Sequence, residues 1–178
     1  MRLLGKGHVD RSRPVGFRFD GKAYQGYHGD TLASALMANG VRLVGRSFKY
    51  HRPRGVLTAG SEEPNALVEV VGTKNQTPNV RATVQELFEG LNAQSQNRFP
   101  SLAFDVLGVN DLLAPFFSAG FYYKTFMWPR AFWEKLYEPA IRRAAGLGRL
   151  SGKHDEGHYE KAYAFCDLLV IGAGPAGL

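Results

Sequence analysis

Val15-Gly16-Phe17-Arg18-Phe19-Asp20-Gly21-Lys22-Ala23-Tyr24-Gln25-Gly26-Tyr27 is the stretch that decides the fold. Val15 to Phe19 alternates apolar and polar side chains, the period of a half-buried strand. Asp20-Gly21 is a two-residue hairpin signal, because both turn positions need φ > 0. Lys22 to Tyr27 reads as the returning strand. Asp30 or Thr31 then caps a helix whose Leu32, Ala35 and Leu36 share one face, with Met37 alongside, and Asn39-Gly40 ends it. At about nine residues such a helix cannot persist alone and must lean on the sheet.

Outward from this unit, residues 1 to 14 read as irregular, with Gly5, Gly7 and Pro14 among scattered charges. Val41 to Lys49 is a weaker strand candidate, and His51-Arg52-Pro53-Arg54-Gly55 a rigid basic loop. Val56 to Gly60 is a brief strand or an extended turn. Asn65 to Val71 alternates again, Val80 to Val84 gives one more strand, and Gln85 to Glu89 a helical turn or strand tail. Hairpin, helix, then short strands is the order of a β-grasp domain, in which a mixed sheet curls over one helix. A five-strand barrel is the alternative, since short strands alone do not fix topology.

The whole chain of 178 residues has room for one sizeable domain or a small domain with an appendage. Its apolar content of 44% is too high for a disordered chain. The N-terminus lacks the apolar core of a secretory signal, and no run of 18 apolar residues suggests a membrane span, so a cytoplasmic protein is expected. One cysteine, Cys166, excludes an internal disulfide and a cluster held by several thiolates; it reads as a core residue. Residues 1 to 55 carry 11 Lys/Arg and 3 Asp/Glu, a net of +8, while the rest carries 11 and 13, a net of −2. Arg46, Lys49, Arg52 and Arg54 are the densest basic group. No recognition helix or finger accompanies them, so the group is expected to dock within an assembly or meet a phosphate-bearing cofactor, or to form a solvated, salt-bridged face, rather than a nucleic-acid site.

From Asp105 the character changes. Asp105 caps a segment with Leu107, Leu112, Leu113, Phe116 and Phe117. Phe121, Tyr122, Tyr123, Phe126, Trp128, Phe132, Trp133 and Tyr137 follow. Pro129 and Pro139 divide this stretch, leaving Ala131 to Tyr137 and Ala140 to Leu147 as separate short helices. So many aromatics in so short a segment mark an interface. Ser151 to Tyr163 is a polar connector; His154 and His158 are four apart, but Gly152 and Gly157 weaken a helix there and no cysteine joins them, so no metal site is assigned.

The chain then runs Cys166-Asp167-Leu168-Leu169-Val170-Ile171 into Gly172-Ala173-Gly174-Pro175-Ala176-Gly177. This is the G-x-G-x-x-G dinucleotide fingerprint directly after a strand-like run. Gly172 permits the tight turn, Gly174 lets the backbone approach a pyrophosphate, and Gly177 seats the next helix. The ribose-binding carboxylate expected about 20 residues beyond Gly172 falls past Leu178, so the dinucleotide unit is expected to be a truncated start.

Together these features resemble one known family. Gly45-Arg46-Ser47-Phe48-Lys49-Tyr50-His51-Arg52-Pro53-Arg54-Gly55, Glu62-Glu63-Pro64-Asn65-Ala66-Leu67-Val68, Phe121-Tyr122-Tyr123-Lys124-Thr125-Phe126-Met127-Trp128-Pro129 and the Gly172–Gly177 motif look like the N-terminal part of alpha subunits of heterotetrameric bacterial sarcosine oxidases. The resemblance implies a plant-type ferredoxin fold over residues 1–100, an aromatic-rich helical packing or interface segment over 101–150, a linker over 151–164 and the start of a dinucleotide domain over 165–178. Related amine and opine dehydrogenases ligate a [2Fe–2S] cluster in this fold; residues 45 to 65 here contain no cysteine, so the domain is expected to be a retained scaffold without the cluster.

For the parent complex the resemblance implies oxidative demethylation of sarcosine to glycine, with hydrogen peroxide and formaldehyde or methylenetetrahydrofolate as further products. It implies NAD bound by the alpha subunit, a tetrahydrofolate-binding region, FAD and FMN as the redox flavins, and beta, gamma and delta subunits as partners. No catalytic residue falls in this chain, and the cofactor-binding residues are Gly172, Ala173, Gly174, Pro175, Ala176 and Gly177. The competing expectation is a ferredoxin-like or NAD/FAD-binding subunit of a related amine, proline or opine dehydrogenase. It calls for cysteines between Tyr50 and Asn65.

Overall fold

The computed structural model describes residues 2–3, 7–72, 76–116, 120, 126, 128–144, 148, 150–153 and 158–172. Strand β1 (Asp10–Phe19) and strand β2 (Lys22–His28) form the hairpin, turning through Asp20 at φ 47° and Gly21 at φ 79°. Both turn residues are left-handed, as the Asp-Gly pair requires. β1 starts at Asp10, before Val15, and a register shift between Asp10 and Pro14 marks a bulge where Pro14 enters the ladder. Residues 10–14, expected to be irregular, are therefore strand.

Helix α1 (Leu32–Ala38) is capped by Thr31, whose side chain accepts from Ser34 N while Ser34 Oγ accepts from Thr31 N. This reciprocal pair satisfies two otherwise orphaned N–H groups and stabilises the helix by about 1 kcal/mol. Asn39 closes the helix and Gly40, at φ 77°, turns the chain away. Leu32, Ala33, Ala35 and Leu36 are buried. The helix sits close on β2 because residue 26 is glycine: a Cβ there would lie 2.4 Å from Leu87 Cδ2 and 3.0 Å from Ala35 Cβ.

Short strands β3 (Gly45–Arg46) and β4 (Pro53–Arg54) pair with each other in a small second sheet. Of the strand expected over Val41–Lys49 only Gly45–Arg46 forms, and Val56–Gly60 is an extended turn. Strands β5 (Leu67–Val71), β6 (Gln76–Arg81) and β7 (Leu91–Ser95) complete the main sheet. β6 ends at Arg81, so 82–84 is a turn rather than the strand expected to Val84, and within Gln85–Glu89 only Glu86 pairs, in an isolated antiparallel bridge to Thr31. Pro78 is tolerated because β6 is an edge strand.

The sheet order is β2-β1-β7-β5-β6. β1 and β7 run parallel, with Phe17 opposite Leu91 and Phe19 opposite Ala93; the other pairs are antiparallel. This mixed sheet over a single helix is the β-grasp, ferredoxin-like fold. The core gathers Val15, Phe17 and Phe19 of β1, Leu32 and Leu36 of α1, Val44, Ala66, Val68, Leu87, Leu91 and Ala93. β7 is the central strand, yet it was not among the expected elements. Its inward residues are Leu91, Ala93 and Ser95, and Ala and Ser carry little strand propensity.

Beyond the sheet, Asp105 caps a 3-10 helix over Val106–Asp111 by accepting from Leu107 N. A π-helical turn over Trp133–Tyr137 runs directly into helix α2 (Glu138–Ala144). The two short helices expected on either side of Pro139 are thus one continuous element. Pro139 lies inside this element, just past the π-helical turn, and supplies no helical N–H there. Phe132 and Tyr137 meet edge to face and Tyr137 Oη donates to Trp128 O at 3.0 Å.

Cys166 is exposed, not a core residue. Residues 165–172 contain no strand, although the sequence is strand-like ahead of the glycine motif. Phe165 is 97% and Ile171 89% exposed, with no ladder neighbour among the described residues to satisfy their backbone. Ala173, Gly174, Pro175, Ala176 and Gly177 lie outside the described residues, as does His154.

Candidate functional site

Two consecutive loops, 46–55 and 57–66, connect the helix region to β5. The first is a basic hairpin. Ser47 N donates to Arg52 O at 2.8 Å, His51 N to Ser47 O at 3.0 Å, and Arg52 N to Ser47 Oγ at 2.9 Å. His51 adopts φ 54°, a left-handed conformation in which the chain reverses. Gly55 is needed where it stands: a Cβ there would lie 2.5 Å from Arg42 O.

The cations of this hairpin are used in different ways. Arg46 is turned inward. Its Nε and Nη2 donate to Leu102 O at 3.0 and 2.6 Å and its Nη1 to His51 O at 3.2 Å. It therefore ties the hairpin to the 99–107 segment. Arg52 pairs with Asp111 through a 2.6 Å contact, and Lys49 and Arg52 both lie over the Tyr50 ring, at 5.0 and 4.9 Å. That pair is exposed and contributes little net stability. With Phe48, Arg54 and Asn97, these residues border an open cleft of about 600 Å³.

His51 is the residue the sequence left without a carboxylate. In the fold, its Nδ1 lies 2.6 Å from Asp105 Oδ2, and both side chains are fully buried. Asp105 Oδ1 accepts from Phe99 N and Leu107 N. Arg46 Nε stands 4.0 Å from Asp105 Oδ2. Both side chains are closed off from solvent, and the contact acts as a buried polar clamp between the two segments.

The second loop is organised around Glu63, whose relative exposure is 1%. Its Oε2 accepts from Leu57 N at 2.8 Å, Thr58 N at 2.6 Å and Thr58 Oγ1 at 3.2 Å. Its Oε1 accepts from Asn65 N at 2.8 Å and Ala66 N at 3.1 Å. Burial pushes the carboxyl upward, but the N–H groups of Thr58, Asn65, Leu57 and Ala66 outweigh it and hold the group below its ordinary 4.5. Thr83, also buried, closes the loop from the side by donating from Oγ1 to Gly60 O at 2.6 Å. Sequence reasoning gave Glu63 no role. The signal available was spacing: Thr58, Glu63 and Ala66 stand at x₄ and x₂ intervals.

The fingerprint lies apart from this description. Gly172 has φ 116°, compatible with a tight turn, and the rest of the motif is outside the described residues. No helix is long and apolar enough to cross a membrane, and no group of three or more His, Cys, Asp or Glu is arranged for a metal among the described residues.

Comparison with known proteins places these features. Residues 12–98 match a family described as "2Fe-2S iron-sulfur cluster binding domain". Tested against the structure, the cluster does not fit the residues present. Plant-type clusters take four cysteines, three of them spaced C-x₄-C-x₂-C, and residues 12–98 contain none. The chain is 67% identical over 177 residues to the sarcosine oxidase subunit alpha of Rhizobium meliloti, covering 99% of this chain and 18% of that protein. It is 31% and 32% identical to the same-named subunits of two Corynebacterium strains, covering 96% of this chain and 13% of each of them. The crystal structure of L-proline dehydrogenase from P. horikoshii superposes with a TM-score of 0.40 at 26% identity, over 49% of this chain and 16% of that one. The chain thus spans less than one fifth of the length of the curated relatives it matches. With a ferredoxin-like domain that carries no cysteine, and with this identity across almost its whole length, the chain is similar to a part of sarcosine oxidase alpha subunits.

Proposed function

We propose that this chain is the N-terminal region of a sarcosine oxidase alpha subunit and that its role there is structural. The parent complex would oxidise sarcosine to glycine, forming hydrogen peroxide and formaldehyde, or methylenetetrahydrofolate when the folate is present. The observation that carries the reading is the 67% identity over 99% of the chain, together with a buried carboxylate where an electron-transfer domain would need thiolates. A cluster-bearing amine, proline or opine dehydrogenase subunit is disfavoured by the same loop, whose ligand positions carry no cysteine.

In this reading residues 1–100 are the scaffold, 101–150 the packing segment, 151–164 a connector and 165–178 the opening of an NAD-binding domain. Gly172 to Gly177 would present backbone N–H groups to the NAD pyrophosphate. FAD and FMN would be held elsewhere in the complex of alpha, beta, gamma and delta subunits, within the cytoplasm. Support for docking comes from the exposed apolar groups of the packing segment: Phe104, Leu112, Trp128 and Leu136 are each more than half exposed.

The test uses the full-length alpha subunit with its partners. Sarcosine-dependent peroxide formation is expected from the complex, and Gly174→Val is expected to remove bound NAD while leaving the subunits assembled. Retained NAD in that variant would reject the site. Absence of sarcosine turnover in an intact, flavin-loaded complex would reject the function.

A further inference from the structure

The disagreement between the cluster-binding family and the residues of the 57–66 loop is itself informative. Thr58-x₄-Glu63-x₂-Ala66 reproduces the C-x₄-C-x₂-C interval of a plant-type cluster loop. The fourth ligand of such a site comes from another segment, and Thr83 is the buried side chain from outside the loop that reaches it, through Gly60 O. A [2Fe–2S] cluster on four thiolates is an anion that a loop surrounds with backbone N–H groups. Here the loop N–H groups of Leu57, Thr58, Asn65 and Ala66 converge on the two oxygens of Glu63.

We propose that the Glu63 carboxylate replaces the cluster as the anion around which this loop is built, with Thr58, Glu63, Ala66 and Thr83 at the four ligand positions. The domain then holds the loop shape of a cluster-bearing relative without metal, and without carrying electrons. The substitution is economical in chemistry: one negative charge, tethered to the chain, meets donors that would otherwise be buried and unsatisfied.

Two experiments on the full chain test this. In the first, T58C/E63C/A66C/T83C is incubated anaerobically with ferrous iron and sulfide. Binding of two irons and two sulfides per chain is expected, with the visible absorption of a [2Fe–2S] centre. T58C/A66C/T83C, which keeps Glu63, is expected to bind none. A folded fourfold variant that takes up no more iron than the unsubstituted chain would overturn the proposal.

The second experiment decides the matter if the fourfold variant does not fold. Amide hydrogen exchange is compared between the unsubstituted chain and Glu63→Gln. Exchange at Leu57, Thr58, Asn65 and Ala66 is expected to accelerate by about tenfold or more, with amides in β1 and β7 unchanged. Unaltered exchange at those four amides would overturn the proposal. Both readouts are independent of sarcosine turnover, so their failure would leave the proposed function standing.

Discussion

His51 Nδ1 and Asp105 Oδ2 meet at 2.6 Å across a sequence separation of 54 residues, with both side chains fully buried. The contact joins the left-handed tip of the basic hairpin to the cap of the 3-10 helix. His51→Ala leaves the carboxylate one partner short and is expected to cost about 1–3 kcal/mol in chemical denaturation. Asp105→Ala is expected to cost more, because Phe99 N and Leu107 N also lose their acceptor. A double-mutant cycle should give a coupling of about 0.5–3 kcal/mol. Additive single effects would show that the contact contributes nothing of its own.

Acid should weaken the loop around Glu63. The folded-state pKa lies below the ordinary 4.5, so the unfolded chain takes up the proton first as pH falls. The stability that Glu63 confers is therefore complete above about pH 4.5 and declines as pH drops through the lowered folded value. Asp30 behaves in the same sense: burial raises it, but hydrogen bonds from Arg2, Ser34 and Tyr27 bring it below 3.8. Glu63→Gln is expected to flatten the acid limb of a stability–pH curve measured between pH 3 and 7. An unchanged acid limb would contradict this assignment.

Close approach of α1 to β2 at Gly26 sets a steric limit. Gly26→Ala places a methyl group 2.4 Å from Leu87 Cδ2 and is expected to destabilise by about 1–3 kcal/mol. Leu87→Ala should then cost less in the Gly26→Ala background than in the parent chain, since it relieves the overlap. Equal costs in thermal unfolding would place the strain elsewhere.

Asp20 has two tasks. It takes the left-handed turn position, and its carboxylate accepts from Ser95 N at 2.8 Å, Ser95 Oγ at 2.7 Å and Arg98 Nη2 at 3.3 Å. Asp20→Ala removes both and is expected to cost about 1–3 kcal/mol. Asp20→Asn keeps the turn preference and one acceptor oxygen, so its midpoint should fall between those of the parent and the alanine variant. Equal losses in the two variants would show that the turn conformation contributes nothing.

The hairpin, a cap at Asp30 or Thr31 and the buried face of α1 were legible because their signals are local: Asp20-Gly21, a capping residue just ahead of the helix, and apolar residues at helical spacing; that Thr31 rather than Asp30 is the cap came only from the structure. β7 was not, since a central strand built on Leu91, Ala93 and Ser95 has little hydrophobic contrast, and its burial comes from the strands on either side. The role of Asp105 was half legible. A cap is a local pattern, whereas its partner His51 arrives only through the fold. Arg46 misled for the same reason, because a guanidinium that satisfies distant carbonyls looks identical in sequence to one that faces solvent. Glu63 shows the opposite case, a charged residue whose burial is satisfied almost entirely by backbone N–H groups within six residues of it.

The parallel pairing of β1 with β7 has a consequence for the order of assembly. The Asp20–Ser95 contact spans 75 residues, so on a ribosome the hairpin and α1 emerge well before the strand that completes their sheet. Until residues 91–95 are synthesised, the β1 edge is open and Phe17 and Phe19 lack their neighbours across it. Local contacts form quickly, while this closure awaits a late segment and its loop entropy. A nascent chain arrested before Leu91 would expose that edge and be a substrate for chaperones; one arrested a few tens of residues beyond Ser95 could close the sheet outside the exit tunnel.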